Sequence, residues 1–388
     1  MHNMKTKKKI LYLSPSNRML GARISLLHLL KNLNREKYEP VVVSLDNDDG
    51  FLQELDKQGV RYYRLRLWNW RKGKFWWRIP FTIWRLVKII RKEEVDLVHS
   101  NEFWCTPYAV IAGKFISKIP VVTHIRLFIT PKKARQYCLK WADCIISVSH
   151  ATGSLLKDWK YYDLVKTVYN GLDPSEYTNR EEKRKAFREE FHLKDTDIAV
   201  GEIAQLDPRK NQHRVLEIIP KIIKKYPNVR FFFIGGSRNE QYKQRLLKQC
   251  RELNIEKYCC FTGSRDDVPS VCAGLDINIL PSKQEGFGRS IIESMYMKTP
   301  HIGSNVGGIP EVIDHGKSGY VFPIEQFEFF EKYLEILIED DHLRRQMGEK
   351  GFHIVNKKFL ASICAQNTEN IYDCLIVSEP NNKIGRKK

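Results

Sequence analysis

Residues 276–323 read DINILPSKQEGFGRSIIESMYMKTPHIGSNVGGIPEVIDHGKSGYVFP, and this stretch decides the fold. A short apolar strand ends at Pro281, a loop with two glycines follows, and a helix begins near Arg289 and runs to about Lys298. Two more short apolar runs, PHIGS and GYVFP, come after the helix. Strands that alternate with helices in this way predict a parallel sheet with crossover helices.

The same alternation extends through the whole chain. The other candidate strands are KILYLS, EPVVVSL, VRYYRLRL, VDLVHS, PVVTHI, CIISVS, IAVGEIA, VRFFFIGG and YCCFTG. Turn signals at Asn170-Gly171 and Asp173-Pro174 divide this series into two halves. The sequence therefore predicts an α/β protein with two Rossmann-like, doubly wound parallel sheets, whose ligands bind beyond the carboxyl ends of the strands in a cleft between the domains.

The predicted domain boundaries follow from this division. We expect an N-terminal Rossmann-like domain over residues 1–172 and a C-terminal Rossmann-like domain over 173–355. The segment 356–380 is expected to form a helix that packs back toward the N-terminal domain. The polar residues 381–388 are expected to be a disordered tail.

Composition restricts the cellular setting and the partners. The chain has 388 residues, 65 Lys and Arg against 46 Asp and Glu, and a formal net charge of +19, which favours an acidic partner. Its nine cysteines form no C-x-x-C pair, so we expect free thiols in a reducing cytoplasm and no structural zinc. The apolar run in KTKKKILYL ends too early for a signal peptide, and no run of about 18 apolar residues predicts a membrane span.

The loop SKQEGFG and the helix after it carry the clearest chemistry. Gly286 and Gly288 allow the backbone to approach a ligand closely, and the first turn of the helix forms an anion site. Glu285 lies in the loop, and Glu293 lies about one turn into the helix. An anion site flanked by two carboxylates suits a diphosphate with sugar hydroxyls. The alternative is a tight turn with ordinary surface charges.

The arrangement resembles the E-x7-E signature of retaining GT-B glycosyltransferases of family 4, and GSNVGGIPEVIDHGKSGYVFP resembles the next block of that family. The resemblance implies that Glu285 is catalytic and faces the donor sugar, and that Glu293 binds the ribose. It also implies that the backbone of Gly286, Phe287, Gly288 and Arg289 holds the distal phosphate. The N-terminal domain is then the acceptor-side domain, and the C-terminal domain binds the nucleotide sugar.

Further residues are assigned by the same resemblance. AQLDPRKNQHRVLEII resembles the phosphate motif, with Lys210 in the lysine position, Gln205 in place of the usual arginine, and Arg209 as a nearby substitute. SPSNRMLGARISLLHLL resembles the glycine loop, in which Gly21 faces the diphosphate, and Arg23 suits an acceptor phosphate. His124 at the end of VVTHI is expected near the reacting carbon, the alternative being a structural histidine. The nucleobase-proximal residues are Ser264, Arg265 and Val268.

The resemblance implies a retaining glycosyltransferase of the hexosyltransferase type. It would transfer a sugar from a UDP-, GDP- or ADP-sugar to a lipid-linked or surface-polysaccharide acceptor, with no cofactor. The D-x-D spacings in LDNDDG and DTD lie in turn-like segments, so no metal site is predicted. The glycine loop departs from the family pattern of two glycines and an acidic residue, because this chain has Leu20, Gly21 and Arg23 there. Two alternatives stay open. The first is a non-catalytic nucleotide-sugar-binding or scaffold protein, which Gln205 and this departure favour, and the second is a sugar-nucleotide epimerase of the same fold.

The stretch WNWRKGKFWWRIPF, residues 68–81, is aromatic and basic at once. From Arg61 to Lys92 there are eleven Arg or Lys residues and no Asp or Glu. A helix is predicted from Pro80 to about Lys92, with an aliphatic face on the core and an aromatic, basic outer face. The outer face is formed by Trp77, Phe81, Trp84, Arg85 and Lys88.

Three interpretations of this stretch are open: tryptophans packed under neighbouring loops, an interfacial element on an anionic membrane, or a nucleic-acid surface. The resemblance favours the membrane, because lipid-linked acceptors are common in the family, and no nucleic acid is expected. The protein is then expected to be cytoplasmic and peripheral at the inner face of the membrane.

Overall fold

The computed structural model describes residues 7–16, 21–45, 50–71 and 73–377, and these form two compact units. The first unit contains the described residues up to Gly171 together with those from Ala361 onward, and the second unit is Leu172–Leu360. The predicted tail, 381–388, lies outside the described residues. Both units are parallel α/β sheets, so the predicted fold class is confirmed.

The first unit has a seven-stranded parallel sheet of order β3-β2-β1-β4-β5-β6-β7. Its strands are β1 (Lys8–Leu13), β2 (Tyr38–Ser44), β3 (Arg61–Arg64), β4 (Leu97–Ser100), β5 (Val121–Ile125), β6 (Cys144–Ser147) and β7 (Val165–Thr167). The first six coincide with predicted strands, whereas β7 was missed. The direction of the chain across the sheet reverses between β1 and β4, which is the topological switch point of this unit.

Helices cover both faces of the first sheet. They are α1 (Gly21–Asn32), α2 (Phe51–Lys57), α3 (Ile79–Glu93), α4 (Thr106–Ala109), α5 (Pro131–Gln136), α6 (His150–Ser154) and α15 (Ala361–Val377), with a π-helical segment at Val110–Ser117. Alternate residues of β1 point to opposite faces. Ile10 and Tyr12 pack with α1, α2 and α15, whereas Leu11 and Leu13 pack with α3 and the π-helical segment.

Helix α3 begins one residue before its predicted start. Pro80 lies in its first turn, where a missing backbone N–H costs nothing. Leu86, Val87 and Ile90 are buried in the core, as the predicted aliphatic face requires. Phe81 and Trp84 lie on the outside, so the helix separates its aliphatic residues from its aromatic ones.

The second unit has a six-stranded parallel sheet of order β10-β9-β8-β11-β12-β13. Its strands are β8 (Ile198–Ile203), β9 (Val229–Ile234), β10 (Cys259–Gly263), β11 (Ile277–Leu280), β12 (His301–Ser304) and β13 (Gly319–Phe322). All six coincide with predicted strands. The switch point lies between β8 and β11, because β9 and β12 extend from them in opposite directions.

The helices of the second unit carry most of its apolar core. They are α7 (Arg180–Glu190), α8 (Gln212–Lys225), α9 (Glu240–Glu252), α10 (Val268–Gly274), α11 (Arg289–Tyr296), α12 (Ile309–Val312), α13 (Phe327–Glu339) and α14 (Asp341–Lys358). Val215, Leu246 and Phe330 pack with Phe231 and Ile279 of the sheet. Helix α11 begins at Arg289 as predicted and ends two residues before the predicted Lys298.

The two faces of α3 should respond differently to truncation. Leu86→Ala removes a fully buried side chain, so we expect the free energy of unfolding to fall by about 2–5 kcal/mol. Trp84→Ser acts on an exposed ring and should change it by no more than about 0.5 kcal/mol. Urea unfolding followed by circular dichroism compares the two variants. A loss for Trp84→Ser as large as that for Leu86→Ala would contradict this division.

Candidate active site

The loop between β11 and α11 ends at a residue that must be glycine. Gly288 has φ +86°, in the left-handed region, and a Cβ at this position would lie 2.7 Å from Ile291 Cδ1. Gly288 is also the N-cap of α11, and a glycine offers no side chain to the N–H groups of the first turn. The geometry is that of a helix start at which an anion can be bound.

Two ion pairs accompany this helix start. Lys210 Nζ forms an ion pair with Glu285 Oε2, and Arg289 Nη2 lies 3.0 Å from Glu293 Oε1. All four side chains are at least three-quarters buried. Low exposure weakens screening by water, so these charges act strongly on any ligand that reaches them.

Neighbouring strands bring the segments of this site together. The backbone N–H of Lys283 donates to the carbonyl of Arg209 at 2.7 Å, which ties the loop after β11 to the loop after β8. The N–H of Gly308, after β12, donates to the carbonyl of Glu285 at 3.4 Å. The site thus lies at the carboxyl edge of three adjacent strands, on the switch point where ligands of doubly wound sheets bind.

The structure gives Arg209 a different partner from Lys210. Its guanidinium makes two hydrogen bonds of 2.9 Å to the carboxylate of Asp207, and these bonds hold the pKa of Asp207 below its usual range. The side chain is 60% exposed. Gln205 stands in the expected arginine position. Its backbone carbonyl accepts a hydrogen bond from the side-chain amide of Gln212. Among these residues Lys210 is therefore the cation paired directly with Glu285.

A buried acid lies beneath the phosphate motif, and the sequence analysis missed it. Glu202 is 1% exposed, and its Oε1 accepts a hydrogen bond of 3.1 Å from Gln212 Nε2. Burial raises the pKa of Glu202 well above its ordinary value, and the charge of Lys210 only partly opposes this. Tyr242 donates to Gln212 Oε1 at 3.2 Å and extends the network. The sequence did contain a signal for this buried acid, because Glu202 is a carboxylate inside the apolar run IAVGEIA.

Asn211 is a second residue that the sequence analysis missed. It directly follows Lys210, is fully buried, and has φ +71°, a left-handed conformation that asparagine tolerates better than most residues. This conformation joins the turn Pro208–Lys210 to α8. The backbone turn that presents Lys210 thus depends on the residue after it.

The residues predicted near the nucleobase follow β10, which is separated from β8 by β9. Ser264 lies close to Gly236, where an added Cβ would be 2.5 Å from Ser264 Oγ. The guanidinium of Arg265 is held by Glu190 and Asp267 at 2.6–2.7 Å, and these hydrogen bonds raise its pKa. Val268 begins α10. The side chain of Arg265 is therefore held in one position at the carboxyl edge of the second sheet.

His124, predicted near the reacting carbon, is at the end of β5 in the first unit and is 4% exposed. Its Nδ1 lies 3.3 Å from Arg126 Nη2, and its ring stacks on His99 at 5.7 Å. Burial, and then the charge of Arg126, lower the pKa of His124 well below its ordinary value. The imidazole is therefore neutral near pH 7.

The predicted glycine loop is only partly within the described residues. Gly21 is the first residue of α1, whereas residues 17–20 lie outside the described part. Arg23, which the sequence suggested for an acceptor phosphate, is 1% exposed. Its guanidinium donates to Ser44 Oγ at 2.9 Å and lies 4.3 Å from the centre of the Phe51 ring. Arg23 therefore contacts the interior of the first unit.

The predicted aromatic and basic surface is exposed in the structure. Trp77, Phe81 and Trp84 are 72%, 59% and 51% exposed. Phe81 and Trp84 stack at 5.7 Å between ring centres, and Lys88 Nζ lies 3.8 Å from the centre of Trp84. Arg85 lies 6.0 Å from the centre of Phe81. Aromatic faces and cations thus lie together on the outside of α3 and just before its start. We call Trp77, Phe81, Trp84, Arg85 and Lys88 the α3 surface.

The described residues contain neither a cluster of metal ligands nor a membrane-spanning helix. Within 7–16, 21–45, 50–71 and 73–377, no three His, Cys, Asp or Glu side chains stand together as metal ligands. Over the same residues, no helix has the length and apolar character needed to cross a membrane.

Comparison with known proteins identifies the class. The chain superposes on HepE from Anabaena, solved with UDP and glucose, with a TM-score of 0.82 and 23% identity over 95% of this chain and 100% of that one. It also matches the lipopolysaccharide outer core galactosyltransferase WaaB, with a TM-score of 0.71 and 14% identity over 95% and 100% of the chains. Both likenesses show that the chain has the GT-B fold, with two parallel α/β sheets.

Family models match both halves of the chain. The model for glycosyltransferase family 4 covers residues 20–176, and that for glycosyl transferases group 1 covers residues 183–353. The chain belongs to the GT-B glycosyltransferases of the family 4 type, as the sequence motifs predicted.

Three curated relatives show the range of activities in this family. N-acetyl-α-D-glucosaminyl L-malate synthase of Bacillus anthracis is 24% identical over 77% of this chain and 80% of its own length. The capsular polysaccharide glycosyltransferase CapM of Staphylococcus aureus is 23% identical over 76% and 81%. An Escherichia coli α-1,3-galactosyltransferase that acts from UDP-Gal on α-D-GlcNAc-diphosphoundecaprenol is 23% identical over 70% and 75%.

The buried acid gives a test through the pH dependence of stability. Because the folded-state pKa of Glu202 is raised, the folded protein holds a proton that the unfolded chain releases above about pH 4.5. Wild type should therefore lose stability as pH rises above that value, by about 1.4 kcal/mol per pH unit until Glu202 ionises in the folded state. Glu202→Gln keeps the acceptor for Gln212 and removes the titration.

Thermal unfolding of both proteins between pH 4 and pH 8 measures this effect. We expect Glu202→Gln to exceed wild type in melting temperature at about pH 8, with the difference vanishing at about pH 4. A constant difference across the range would show that Glu202 does not titrate as its burial implies.

Proposed function

We propose that this glycosyltransferase transfers a sugar from a nucleotide-sugar donor with retention of anomeric configuration. The donor diphosphate binds between Lys210 and the Gly288-capped start of α11, and Glu285 binds the donor sugar hydroxyls. The observation that carries the proposal is the Lys210–Glu285 ion pair beside that helix start. It combines a cation for a phosphate with a carboxylate for hydroxyls at the switch point of one sheet.

The proposed chemistry follows from where charge develops. As the bond between sugar and diphosphate breaks, the diphosphate gains negative charge and the anomeric carbon gains positive charge. Lys210 and the N–H groups at the start of α11 stabilise the first charge, and this fixed stabilisation lowers the barrier. The acceptor hydroxyl attacks on the face that the diphosphate leaves and passes its proton to the departing phosphate, which accounts for retention.

Glu293 is proposed to bind the ribose. Its side chain projects from the first turns of α11, and its Oε1 lies 3.0 Å from Arg289 Nη2, which orients the carboxylate. The second carboxylate oxygen can therefore accept a hydrogen bond from a ribose hydroxyl. We propose a UDP-sugar as the donor, because HepE was solved with UDP and glucose and the E. coli relative uses UDP-Gal.

The proposed acceptor is a glycan built on a lipid carrier or a surface polysaccharide. CapM acts in capsular polysaccharide synthesis, and the E. coli relative acts on a sugar attached to diphosphoundecaprenol. Such acceptors are anchored in the cytoplasmic face of a membrane, and the enzyme must reach that surface. We propose that the α3 surface makes this contact.

The α3 surface suits a membrane interface on two grounds. Exposed tryptophans bind at the depth of lipid headgroups, and each nearby Lys or Arg contributes about 1 kcal/mol on an anionic membrane. Trp77 and Trp84 supply the rings, and Arg85 and Lys88 supply cations close to them. The protein is thus proposed to be peripheral at the inner face of the membrane.

A second candidate function is binding of nucleotide sugars without transfer. Two observations favour it: Gln205 stands in the expected arginine position, and Arg209 is paired with Asp207. Of these residues, Lys210 is then the cation that is paired with Glu285 and stands ready for the leaving diphosphate. This candidate predicts nucleotide binding with no release of UDP from any UDP-sugar.

Substitutions at Lys210 and Glu285 should separate binding from catalysis. Lys210→Met removes a charge-assisted contact of about 1.5–3 kcal/mol and should weaken UDP binding at least tenfold. Glu285→Ala should slow UDP release from a UDP-sugar by a factor of about 100 or more, without weakening UDP binding, because Lys210 loses its competing carboxylate. Calorimetry with UDP and a coupled UDP-release assay measure these effects.

Arg209→Met is the matched control, because it removes the adjacent cation that Asp207 already pairs. Its UDP affinity should stay within about threefold of wild type, since exposed ion pairs contribute little. Equal release rates for wild type and Glu285→Ala would remove Glu285 from the mechanism. A first screen of UDP-, GDP- and ADP-sugars by thermal shift selects the donor.

The α3 surface is tested with vesicles. Trp77→Ser, Phe81→Ser and Trp84→Ser, combined in one variant, should abolish sedimentation with vesicles that contain anionic phospholipid. The reason is that the rings provide the apolar contact and the cations alone are screened by salt. Circular dichroism and the urea midpoint should match wild type, since all three side chains are exposed.

The control variant carries Leu127→Ser, Leu155→Ser and Tyr162→Ser, which are also exposed in the first unit but outside α3. It should sediment like wild type. Unchanged sedimentation of the α3 variant, or loss in both variants, would argue against a specific role for the α3 surface.

A further inference from the structure

Arg126, the residue after β5, is tied to segments that follow two other strands of the first sheet. Its Nη2 donates to Asn101 Oδ1 at 2.7 Å, and its Nη1 donates to Asn170 Oδ1 at 2.8 Å. Its Nε also donates to the carbonyl of Asn101 at 3.3 Å. Asn101 follows β4, and Asn170 follows β7. The guanidinium is therefore held in one orientation at the carboxyl edge of this sheet.

The same guanidinium fixes where His124 carries its proton. Arg126 Nη2 lies 3.3 Å from His124 Nδ1, and a guanidinium has N–H donors but no acceptor. His124 Nδ1 must therefore be the acceptor in this contact. The imidazole is neutral near pH 7, so its single ring proton lies on Nε2. The hydrogen bond thus selects one of the two neutral tautomers.

The ring of His124 is also held from one face. It stacks on the ring of His99, with 5.7 Å between ring centres and 21° between planes. His99 Nδ1 lies 2.5 Å from Tyr372 Oη, and Tyr372 donates to Tyr12 Oη at 3.1 Å. His99, Tyr372 and Tyr12 are all buried. The imidazole of His124 therefore rests on a hydrogen-bonded layer from β1, β4 and α15, which restricts its rotation.

One polar atom of His124 is left for a ligand. Its Nε2 is buried and has no hydrogen-bond partner within the described part of the chain. A buried N–H without an acceptor costs about 1–3 kcal/mol, and a ligand oxygen that accepts from it removes this cost. His124 is the last residue but one of β5, at the edge where ligands of such sheets bind.

We propose that Arg126 is a positioning residue, which fixes His124 as the Nε2–H tautomer, and that His124 serves the transfer as a hydrogen-bond donor to a sugar hydroxyl. His124 is then not the base that takes the acceptor proton. Its Nδ1 lone pair is engaged by Arg126, and its Nε2 already carries the proton. The inference rests on the proposed transferase function and on the place near the reacting carbon that the family resemblance implies for His124.

The proton of the acceptor hydroxyl then needs another destination. As the acceptor oxygen forms its bond to the anomeric carbon, the bond from that carbon to the diphosphate oxygen breaks. The acceptor O–H proton passes to the released diphosphate. Atoms and charge balance in this step without a protein base, in agreement with the proposed retention of configuration.

The tautomer is tested in the full-length protein labelled with ¹⁵N-histidine. A long-range ¹H–¹⁵N NMR spectrum distinguishes the two neutral tautomers, and the signals lost in His124→Asn are those of His124. We expect the Nε2–H tautomer in wild type near pH 7. Arg126→Met removes the donor at Nδ1 and should give a mixture of both tautomers. Arg126→Lys keeps a donor there and should restore the Nε2–H form.

Release of UDP from the UDP-sugar that thermal shift selects tests the role as a donor. His124→Gln keeps a side-chain N–H but takes up no proton, whereas His124→Ala removes the donor. We expect kcat to fall about tenfold or less in His124→Gln and about 100-fold or more in His124→Ala. Arg126→Met should lower kcat about tenfold and leave KM within about threefold, and Arg126→Lys should recover most of the loss.

Arg135→Met is the matched control, because Arg135 is an exposed arginine of α5 in the same unit. It should leave the His124 tautomer and the release of UDP as in wild type. Circular dichroism checks that each variant is folded. Should Arg126→Met fail to fold, the wild-type tautomer and the comparison of His124→Gln with His124→Ala still test the proposal.

The outcomes separate this inference from the proposed function. Equal losses of kcat in His124→Gln and His124→Ala would overturn the role as a donor. An Nδ1–H tautomer in wild type, or an unchanged tautomer in Arg126→Met, would remove Arg126 as the positioning residue, whatever the release assay shows. If wild type releases no UDP from any UDP-sugar, the transferase proposal fails, and the tautomers of wild type and Arg126→Met still decide the role of Arg126.

Discussion

Parallel strands can be joined only by crossovers that return across a face of the sheet, and this constraint determines where chemistry can occur in both units. Each loop that follows a strand leaves the same edge, and at the switch point adjacent loops diverge and open a crevice. In the second unit the loops after β8, β11 and β12 meet there and bring Lys210 to Glu285. In the first unit the residues that follow β1 to β4 meet at one edge, where Trp68, Trp70, Phe103 and Trp104 line a pocket.

Charge at the edge of the second sheet is organised as pairs. Lys210 pairs with Glu285, Arg209 with Asp207, Arg289 with Glu293, and Arg265 with both Glu190 and Asp267. The proposed donor diphosphate would therefore replace a protein carboxylate as the partner of these cations. The gain in affinity is smaller than for an unpaired cation, but the cations are already oriented, so less side-chain entropy is lost on binding.

The sequence predicted the sheets well because buried parallel strands are short apolar runs between turn signals. It missed β7, a three-residue edge strand whose residues are not buried and so give no apolar run. The start of α11 was predicted because Gly288 and the strand before it are local features. Glu202 and Asn211 were missed because their roles depend on burial, which helices packed over the strand impose.

The aromatic and basic stretch 68–92 also shows what sequence periodicity can and cannot predict. Periodicity correctly separated Leu86 and Val87 from Phe81 and Trp84, since a helix fixes which residues share a face. Periodicity could not place Trp68 and Trp70, because both precede the helix and the backbone of Trp68 is held by Tyr108, 40 residues further along the chain. One stretch of similar residues thus contributes to two different surfaces.

The two units also differ in what they expose. The large apolar side chains that are exposed in the described part of the chain all lie between Trp76 and Tyr162, in the first unit. A unit that bound only nucleotide sugars and water-soluble glycans would have no need of such rings, which cost free energy in water. The ion pairs of the second unit suit the proposed diphosphate donor, and the exposed rings of the first unit suit the proposed contact with an anionic membrane.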